Sequence, residues 1–287
     1  MLFRKVAIVG VGLIGGSLGA ALKSRKLAEE VHGIGYRSCT LAEARQRGCI
    51  DDFTLDVAEG VRGADLVVIA TPVDLIVEKA REIVQSIPRG CIVTDVGSTK
   101  KLITDQLDEV FAGRALFVGS HPMAGSEKRG ATNASKDLFD GALCILTQTP
   151  NTDEAAIKPV DEMWRSVGAV TRLMKAADHD TRVALASHVP HVVAASLVNV
   201  QTDDSLECAA SGFADTTRIA ASDPQLWSGI CMDNAREILA GIDSIAEELA
   251  SIRALIEKRD EQALFEKLRQ ASHRRRNWEE ARNDTKT

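Results

Sequence analysis

The stretch that decides the fold runs from Val6 to Gly16 and reads Val-Ala-Ile-Val-Gly-Val-Gly-Leu-Ile-Gly-Gly. Its apolar start predicts a buried strand, and Gly10, Gly12 and Gly15 follow at the spacing GxGxxG. The residues after this stretch keep the apolar spacing of an amphipathic helix. A strand, a glycine turn and a helix in this order are typical of a dinucleotide-binding site.

Each glycine has its own expected role in such a turn. Gly10 permits the tight turn, Gly12 lets the backbone approach the phosphates, and Gly15 lets the helix pack close to the strand. The free N–H groups at the start of the helix favour negative charge. A second apolar run, Val31 to Tyr36, follows at the distance that a βαβ unit requires.

The composition is that of an ordinary globular protein. The chain has 287 residues, of which 45% are hydrophobic and 26% charged, and this length suits two domains. A net charge of -6 argues against nonspecific nucleic-acid binding. No apolar segment approaches the roughly 20 residues of a membrane span.

The N-terminal residues and the cysteines predict a cytoplasmic protein. Arg4 and Lys5 followed by an apolar run superficially resemble a secretory signal, but glycines interrupt that run. The six cysteines are scattered and form no CxxC pair. This pattern favours reduced thiols over a disulfide framework or a zinc site, and we expect no metal.

The organisation of the chain changes near Ala176. Before it, strands and helices alternate, with strands predicted at residues 66–70, 91–94 and 116–118 and His121 in a loop after the last of them. After it we predict only helices, at residues 179–200, 225–256 and 261–281. The predicted fold is an α/β Rossmann-type nucleotide-binding domain over residues 1–175, followed by an all-α domain over residues 176–287. The apolar face of the long helix predicts that the second domain forms a homodimer.

Six blocks of sequence occur in an order that is specific as a set. They are residues 10–17 (GVGLIGGS), 95–100 (DVGSTK), 119–127 (GSHPMAGSE), 179–180 (HD), 187–191 (SHVPH) and 215–224 (DTTRIAASDP). Together they resemble the prephenate/arogenate dehydrogenase family of tyrosine biosynthesis, over residues 4 to 282. The resemblance implies a nucleotide-binding domain followed by a helical dimerisation domain.

The reaction that the resemblance implies is the oxidative decarboxylation of a cyclohexadienol. A hydride leaves the ring carbon that carries the hydroxyl group and goes to nicotinamide, and the ring carboxylate leaves as CO2. The protein must take the hydroxyl proton and bind a substrate with two anionic groups.

Two residues match the family's catalytic positions. His121 matches the catalytic histidine, and a neutral imidazole is suited to accept a proton near pH 7; the alternative is a histidine that caps a turn before Pro122. Ser98 matches a serine that lies between this histidine and the cofactor. A plain helix N-cap formed at Ser98 and Thr99 would explain the same residue.

Five further residues are predicted to bind the substrate. Arg218 matches an arginine that holds the ring carboxylate, with a salt bridge to Asp215 or Asp223 as the alternative. The other four are His191, His188, Glu127 and Trp227. His188 could be structural, or the two histidines could bind a metal. Glu127 could be an exposed loop residue, and Trp227 could pack in the core. The pair His179-Asp180 is interpreted as a brace between the domains.

The nicotinamide cofactor is NADP or NAD. Proteins that bind NAD place an acidic residue at the end of the second strand, whereas here that strand ends with Gly-Ile-Gly-Tyr-Arg-Ser at residues 33–38. Arg37 and Ser38 could hold a 2′-phosphate, which favours NADP; an Arg37 stacked on adenine would serve NAD equally well. The residues predicted to bind the cofactor are Gly10, Gly12, Leu13, Ile14, Gly15, Arg37, Ser38, Thr71 and Ser98.

Two other functions fit parts of the sequence. A β-hydroxyacid dehydrogenase would share the architecture but would use a lysine of the helical domain as its proton shuttle. The chain has no lysine between Lys175 and Lys258. A noncatalytic dinucleotide-sensing protein would need the glycine turn but not His121, Ser98 and Arg218 together. The sequence does not decide between prephenate and arogenate.

Overall fold

The computed structural model describes residues 1–125 and 130–284, and these form two compact units. The first unit runs from Met1 to Ala235, and the second begins at Arg236. The change from alternating strands and helices to helices alone comes at Lys175, where the last strand ends. The assignment of residues 1–175 and 176–287 to two domains stays a prediction.

The first unit is built on one sheet, which in the described part of the chain has eight strands. Their spatial order is β3-β2-β1-β4-β5-β6-β7-β8. The first six follow the order of a Rossmann fold and are parallel, while β6 and β7 pair antiparallel. The strands are β1 (Phe3–Val9), β2 (Ala28–Ile34), β3 (Asp52–Thr54), β4 (Leu66–Ile69), β5 (Ile92–Asp95), β6 (Leu116–Pro122), β7 (Leu143–Gln148) and β8 (Val170–Lys175).

Both faces of the central strands are buried, which explains why they read as continuous apolar runs. In β1, Val6 and Ile8 belong to the core on one face, and Ala7 and Val9 belong to the core on the other. Helices cover both faces, so the ligand-binding edge is left at the carboxyl ends of the strands.

Two strand predictions were wrong in their bounds. The second strand covers Ala28–Ile34 rather than Val31 to Tyr36, because Phe3 of β1 already pairs with Ala28 while Tyr36 lies in the following loop. The backbone pairs there even though Glu29 and Glu30 of β2 are polar. His121 lies within β6 rather than in a loop, because the antiparallel pairing with β7 extends that strand to Pro122.

The described part of the chain contains thirteen α-helices. They are α1 (Leu13–Ser24), α2 (Ser38–Gln46), α3 (Val57–Gly60), α4 (Val73–Ile83), α5 (Lys101–Phe111), α6 (Glu154–Ser166), α7 (Ala176–Val183), α8 (Val189–Asn199), α9 (Asp203–Leu206), α10 (Ser211–Thr217), α11 (Pro224–Asp233), α12 (Ala235–Lys258) and α13 (Glu261–Asp284). None of the helices in the described ranges is long and apolar enough to cross a membrane.

The predicted helix at residues 179–200 is one helical run that contains a wider turn. A π-helical segment, Ala184–His188, joins α7 to α8, and Pro190 lies at the start of α8. Proline has no N–H to donate to the preceding turn, and a π-turn accommodates such a missing hydrogen bond. The segment sets the positions of His188 and His191 relative to His179.

The predicted helix at residues 225–256 is in fact two helices. Asn234 separates α11 from α12, with φ -110° and ψ 31°. Its side-chain amide donates to the backbone carbonyl of Asp180 at 2.9 Å. This tertiary hydrogen bond is formed with a residue far away in the sequence, so periodicity alone could not reveal the break.

The second unit contains α12 from Arg236 onward and α13. Lys267 of α13 pairs with Glu248 of α12 at 3.0 Å, and Arg259 adopts a positive φ between the helices. Several large apolar side chains of this unit are exposed: Leu239, Ile245, Leu249, Ile256, Phe265, Leu268 and Trp278.

Candidate active site

The glycine turn after β1 has the geometry that its sequence predicts. Gly10 has φ 98°, and a Cβ there would lie 2.6 Å from the carbonyl oxygen of Ala70. A Cβ on Gly15 would lie 2.1 Å from the carbonyl oxygen of Gly10. By contrast, no atom of the described residues lies within 4 Å of the Cβ position of Gly12. The turn therefore packs tightly against the protein at Gly10 and Gly15, and among the described residues it has free space beside Gly12.

The open side of the turn fits a dinucleotide. Gly12 caps α1 without a side-chain hydrogen bond, so the first N–H groups of the helix point to this space. Leu13 and Ile14 begin the helix and are half-buried. The hydroxyl group of Thr71, beyond β4, is buried and has no hydrogen-bond partner among the described residues. Such an orphaned polar atom beside an open helix N-terminus suits a polar ligand.

The residues after β2 are exposed. Tyr36 is 84% exposed, and the Arg37 guanidinium lies 5.0 Å from the centroid of its ring. Arg37 caps α2, and Ser38 is its first residue. A guanidinium beside a helix N-terminus is suited to an anionic group.

The order β1-β4-β5-β6 brings Thr71, Ser98 and His121 to the same edge of the sheet. Ser98 is half-buried in the loop between β5 and α5. It is not the N-cap of α5, since that helix begins at Lys101. The segment after His121 returns toward the glycine turn, where a Cβ on Gly125 would lie 3.9 Å from Ile14.

His121 is the first member of a buried chain of hydrogen bonds. Its Nδ1 lies 2.8 Å from Nε2 of His179, and Nδ1 of His179 lies 2.7 Å from Oδ1 of Asp180. The three residues are 7%, 0% and 4% exposed. The prediction that His179 and Asp180 brace the domains overlooked this contact, because 58 residues separate the two imidazoles in sequence.

Asp180 also caps α5, a helix whose own N-cap residue makes no side-chain hydrogen bond. Its Oδ1 accepts from the backbone N–H of Lys100 and its Oδ2 from that of Lys101, both at 2.8 Å. The N-terminus of a helix favours a negative charge, so the carboxylate is anchored there.

The surroundings of these three residues keep His121 and His179 neutral. Burial lowers the pKa of His121 well below 6.5, and the neighbouring His179 and Lys100 lower it further. Burial also lowers the pKa of His179, and its hydrogen bond to Asp180 opposes this only in part. Burial alone would raise the pKa of Asp180, but hydrogen bonds from His179 and the backbone N–H of Lys101 outweigh it and lower that pKa.

A buried ion pair holds the strand ends in place. The Lys100 ammonium donates to Asp95, and both side chains are fully buried. Asp95 also accepts from the backbone N–H of Gly97 at 2.8 Å and of Ser120 at 3.2 Å. One carboxylate therefore ties the loop that carries Ser98 to the residue before His121. Neither residue of this pair was predicted to belong to the site, although both belong to the block at 95–100.

His188 has a structural environment. Its Nδ1 lies 3.2 Å from the side-chain amide of Asn234, and the ring also hydrogen-bonds to the backbone of Ser98. Burial lowers its pKa to about 4. Because its ring hydrogen-bonds to these groups of the protein, His188 supports the loop that carries Ser98.

His191 has a different environment. Its ring stacks on Trp227, with centroids 3.5 Å apart and an interplanar angle of 5°. It is 7% exposed, burial lowers its pKa, and its Nδ1 has no hydrogen-bond partner in the part of the chain that the structure describes. A buried neutral imidazole with an unused nitrogen suits a polar ligand.

Two predicted substrate-binding residues remain, Arg218 and Glu127. Arg218 is exposed on a 3₁₀ turn, Arg218–Ala221. Glu127 lies outside the described residues. Within residues 1–125 and 130–284, no three or more His, Cys, Asp or Glu side chains group so that they could hold a metal ion.

Comparison with protein families gives two matches in succession. Residues 18–173 match "Prephenate dehydrogenase, nucleotide-binding domain", and residues 175–270 match "Prephenate dehydrogenase, dimerization domain". The prephenate dehydrogenase of Bacillus subtilis is 38% identical over 268 residues, which are 91% of this chain and 72% of that protein.

Two solved structures are also similar. Prephenate dehydrogenase from A. aeolicus, in complex with hydroxyphenyl propionate and NAD+, has a TM-score of 0.89 at 32% identity and covers 95% of this chain and 97% of its own. Arogenate dehydrogenase from Synechocystis has a TM-score of 0.83 at 29% identity, with coverages of 96% and 100%. These matches confirm the predicted fold class, a Rossmann-type domain followed by a helical dimerisation domain. The chain belongs to the prephenate dehydrogenase family and is a nicotinamide-dependent dehydrogenase.

Proposed function

We propose that this protein oxidatively decarboxylates prephenate, arogenate or both, with His121 as the residue that accepts the hydroxyl proton. The observation that carries the proposal is the state of His121: it is buried, neutral and at the end of a strand, on the same edge of the sheet as the glycine turn. Membership in the family supplies the class of substrate.

The chemistry divides between substrate, cofactor and protein. The hydroxyl O–H bond of the substrate breaks as its proton passes to the His121 imidazole. A bound nicotinamide supplies the acceptor for the hydride that leaves the same carbon. The ring carboxylate leaves as CO2, and the ring becomes aromatic, which drives the step downhill.

The depressed pKa of His121 suits it to this role. An imidazole with a pKa well below 6.5 is unprotonated at neutral pH and is ready to accept a proton without first losing one. Ser98 lies on the loop that Asp95 ties to the end of β6, and its hydroxyl would orient the substrate hydroxyl or the imidazole.

Other residues would hold the substrate. His191 offers an unused buried nitrogen, and Trp227 fixes its ring by stacking. Arg218 would pair with a substrate carboxylate, because a guanidinium matches that group in two parallel hydrogen bonds. Glu127 would lie at the mouth of the cleft, as the family resemblance implies. His188 would act indirectly, by supporting the Ser98 loop.

The preferred cofactor would be NADP, with NAD as the alternative. Arg37 and the first N–H groups of α2 are exposed after β2, where a ribose 2′-phosphate is expected in a Rossmann fold. No carboxylate lies among residues 33–38 to take a free 2′-hydroxyl.

We also expect a homodimer in the cytoplasm. The exposed apolar side chains of α12 and α13, such as Leu249 and Phe265, would be covered by a second copy. The matched family description of residues 175–270 names a dimerisation domain. All six cysteines are free, which suits a reducing compartment.

The test is a direct assay. The purified protein is mixed with prephenate or arogenate and with NADP or NAD, and absorbance of the reduced nicotinamide is followed together with release of CO2. The proposal predicts equimolar reduced cofactor and CO2 with at least one of the four combinations. Activity with none of them, from folded protein that binds the cofactor, would overturn it.

A further inference from the structure

The His121 imidazole is linked to two further buried side chains by hydrogen bonds. Nδ1 of His121 contacts Nε2 of His179, and Nδ1 of His179 contacts Oδ1 of Asp180. All three side chains are almost fully buried, so water does not compete for these hydrogen bonds. Each contact needs one donor and one acceptor, and the order of the protons follows from the charge of the last member.

Asp180 is the fixed end of the chain. Its two oxygens accept from the backbone N–H groups of Lys100 and Lys101 at the start of α5. These donors and His179 lower its pKa despite the opposing effect of burial, so at neutral pH it is a carboxylate and only accepts hydrogen bonds.

The charge of Asp180 then determines which nitrogen of each histidine carries a proton. Because Asp180 only accepts, Nδ1 of His179 carries a proton. Neutral His179 therefore has a lone pair on Nε2, and that nitrogen accepts from Nδ1–H of His121. The lone pair of neutral His121 is left on its own Nε2, the nitrogen that faces away from the chain.

We propose that His179 and Asp180 are positioning residues that hold His121 as its Nδ1–H tautomer, so that Nε2 is the atom that accepts the substrate proton. This inference rests on the proposed function of His121. When the proton arrives, the substrate O–H bond breaks and an Nε2–H bond forms. The imidazolium keeps its Nδ1–H donated to His179, and the Asp180 carboxylate compensates the new charge through that ring.

A simpler role would be structural, because Asp180 caps α5 in any case. A cap requires only that the oxygens accept from Lys100 and Lys101, and it sets no tautomer on a histidine. The two roles therefore differ in one observable, the protonation of individual imidazole nitrogens.

The experiment is ¹⁵N NMR of the full-length protein labelled at its six histidines, in the neutral form near pH 7. The His121 and His179 signals are assigned by their loss in His121→Asn and His179→Asn. We expect protonated Nδ1 and unprotonated Nε2 for both residues. A protonated Nε2 on His121 in the wild type would overturn the proposal, and this reading depends on no variant of Asp180.

Asp180→Ala then removes the fixed end of the chain. We expect the His121 Nε2 signal to move toward the protonated form and kcat to fall about 100-fold or more, since a catalytic histidine in the wrong tautomer loses up to about 10⁴. KM and the cofactor Kd should change little. The matched control is Asp233→Ala, which removes a nearby carboxylate that accepts from Thr99 and contacts neither His121 nor His179 among the described residues.

Each outcome has one meaning. Unchanged nitrogen signals and wild-type kcat in folded Asp180→Ala would leave Asp180 as a helix cap only. If the wild-type signals are as predicted but His121→Asn retains full turnover, the proton order stands and the proposed function of His121 fails.

Discussion

The glycine turn after β1 and the histidine chain at the end of β6 are built over different distances along the sequence. The conformation of the turn is set by glycines within residues 8 to 16, although these also pack against Ala70 and Ala134. The histidine chain instead joins β6 to α7 across 58 residues and α7 to α5 across 80. The turn owes its shape to glycines, which have no side chain, whereas the histidine chain is formed by hydrogen bonds between side chains. We therefore expect the glycine turn to bind through its backbone and the histidine chain to act through the ordering of its protons.

The largest expected effect comes from a substitution that changes the histidine chain and leaves the glycine turn intact. His121→Asn should lower kcat by about 10²–10⁴, the usual cost of losing a general base. The cofactor Kd should stay near the wild-type value, because the glycine turn is untouched. Steady-state kinetics and cofactor titration measure the two quantities. Near-normal turnover would remove His121 from the mechanism.

Buried neutral histidines should make stability depend on pH. In the unfolded chain their pKa is 6.5, whereas in the folded protein burial lowers that of His188 to about 4. As pH falls from 6.5 toward about 4, the unfolded chain takes up a proton that the folded protein refuses, so the free energy of unfolding decreases. A shift of this size corresponds to about 3 kcal/mol for His188.

Urea unfolding between pH 7 and pH 4.5 measures this dependence. His188→Gln should flatten the profile, while His273→Gln, which changes an exposed histidine of α13, should leave it unchanged. A wild-type free energy of unfolding that stays constant over this range would contradict the burial argument.

The cofactor side of the comparison is tested at Arg37. Arg37→Ala should weaken NADP by about 1.5–3 kcal/mol, the value of a charged hydrogen bond, and leave NAD unchanged. Arg45→Ala is the matched control, since Arg45 lies on the same helix and pairs with Asp52 instead. Tighter binding of NAD than NADP by the wild type would show that Arg37 does not hold a phosphate.

The smallest expected effect comes from one methyl group in the glycine turn. Gly12→Ala should leave the Tm unchanged, because no atom of the described residues lies within 4 Å of its Cβ position, but should weaken both cofactors about tenfold, as a steric conflict of roughly 1.4 kcal/mol. Gly212→Ala, whose Cβ position likewise has no neighbour within 4 Å in the described ranges, should change neither quantity. Unchanged cofactor Kd in Gly12→Ala would mean that the phosphates lie elsewhere.

The same contrast explains what the sequence could predict. The strand, turn and helix around Gly10 were predictable because each depends on neighbouring residues. The six blocks also predicted the family, which the comparisons confirm. The start of β2 was missed because Ala28 joins the sheet through backbone pairing with β1, which leaves no apolar pattern.

The histidine chain was only half predictable. His121 was singled out by its block, but its place within β6 depends on antiparallel pairing with β7. His179 and Asp180 were interpreted as a brace between the domains, and their contact with His121 was not predicted, since only the packing of α7 against α5 brings them to His121. Asn234, which ends α11 and contacts His188, carried no signal in the sequence.

The central claim, that a buried neutral His121 accepts the substrate proton, is tested most directly by the pH dependence of kcat/KM. This quantity reports ionisations of the free enzyme. Because burial lowers the pKa of His121, activity should persist as pH falls through 6.5 and decline only at lower pH, with an apparent pKa below 6.5. The residual activity of His121→Asn should lack this acid limb. An apparent pKa at or above 6.5 in the wild type, or the same limb in His121→Asn, would contradict the claim.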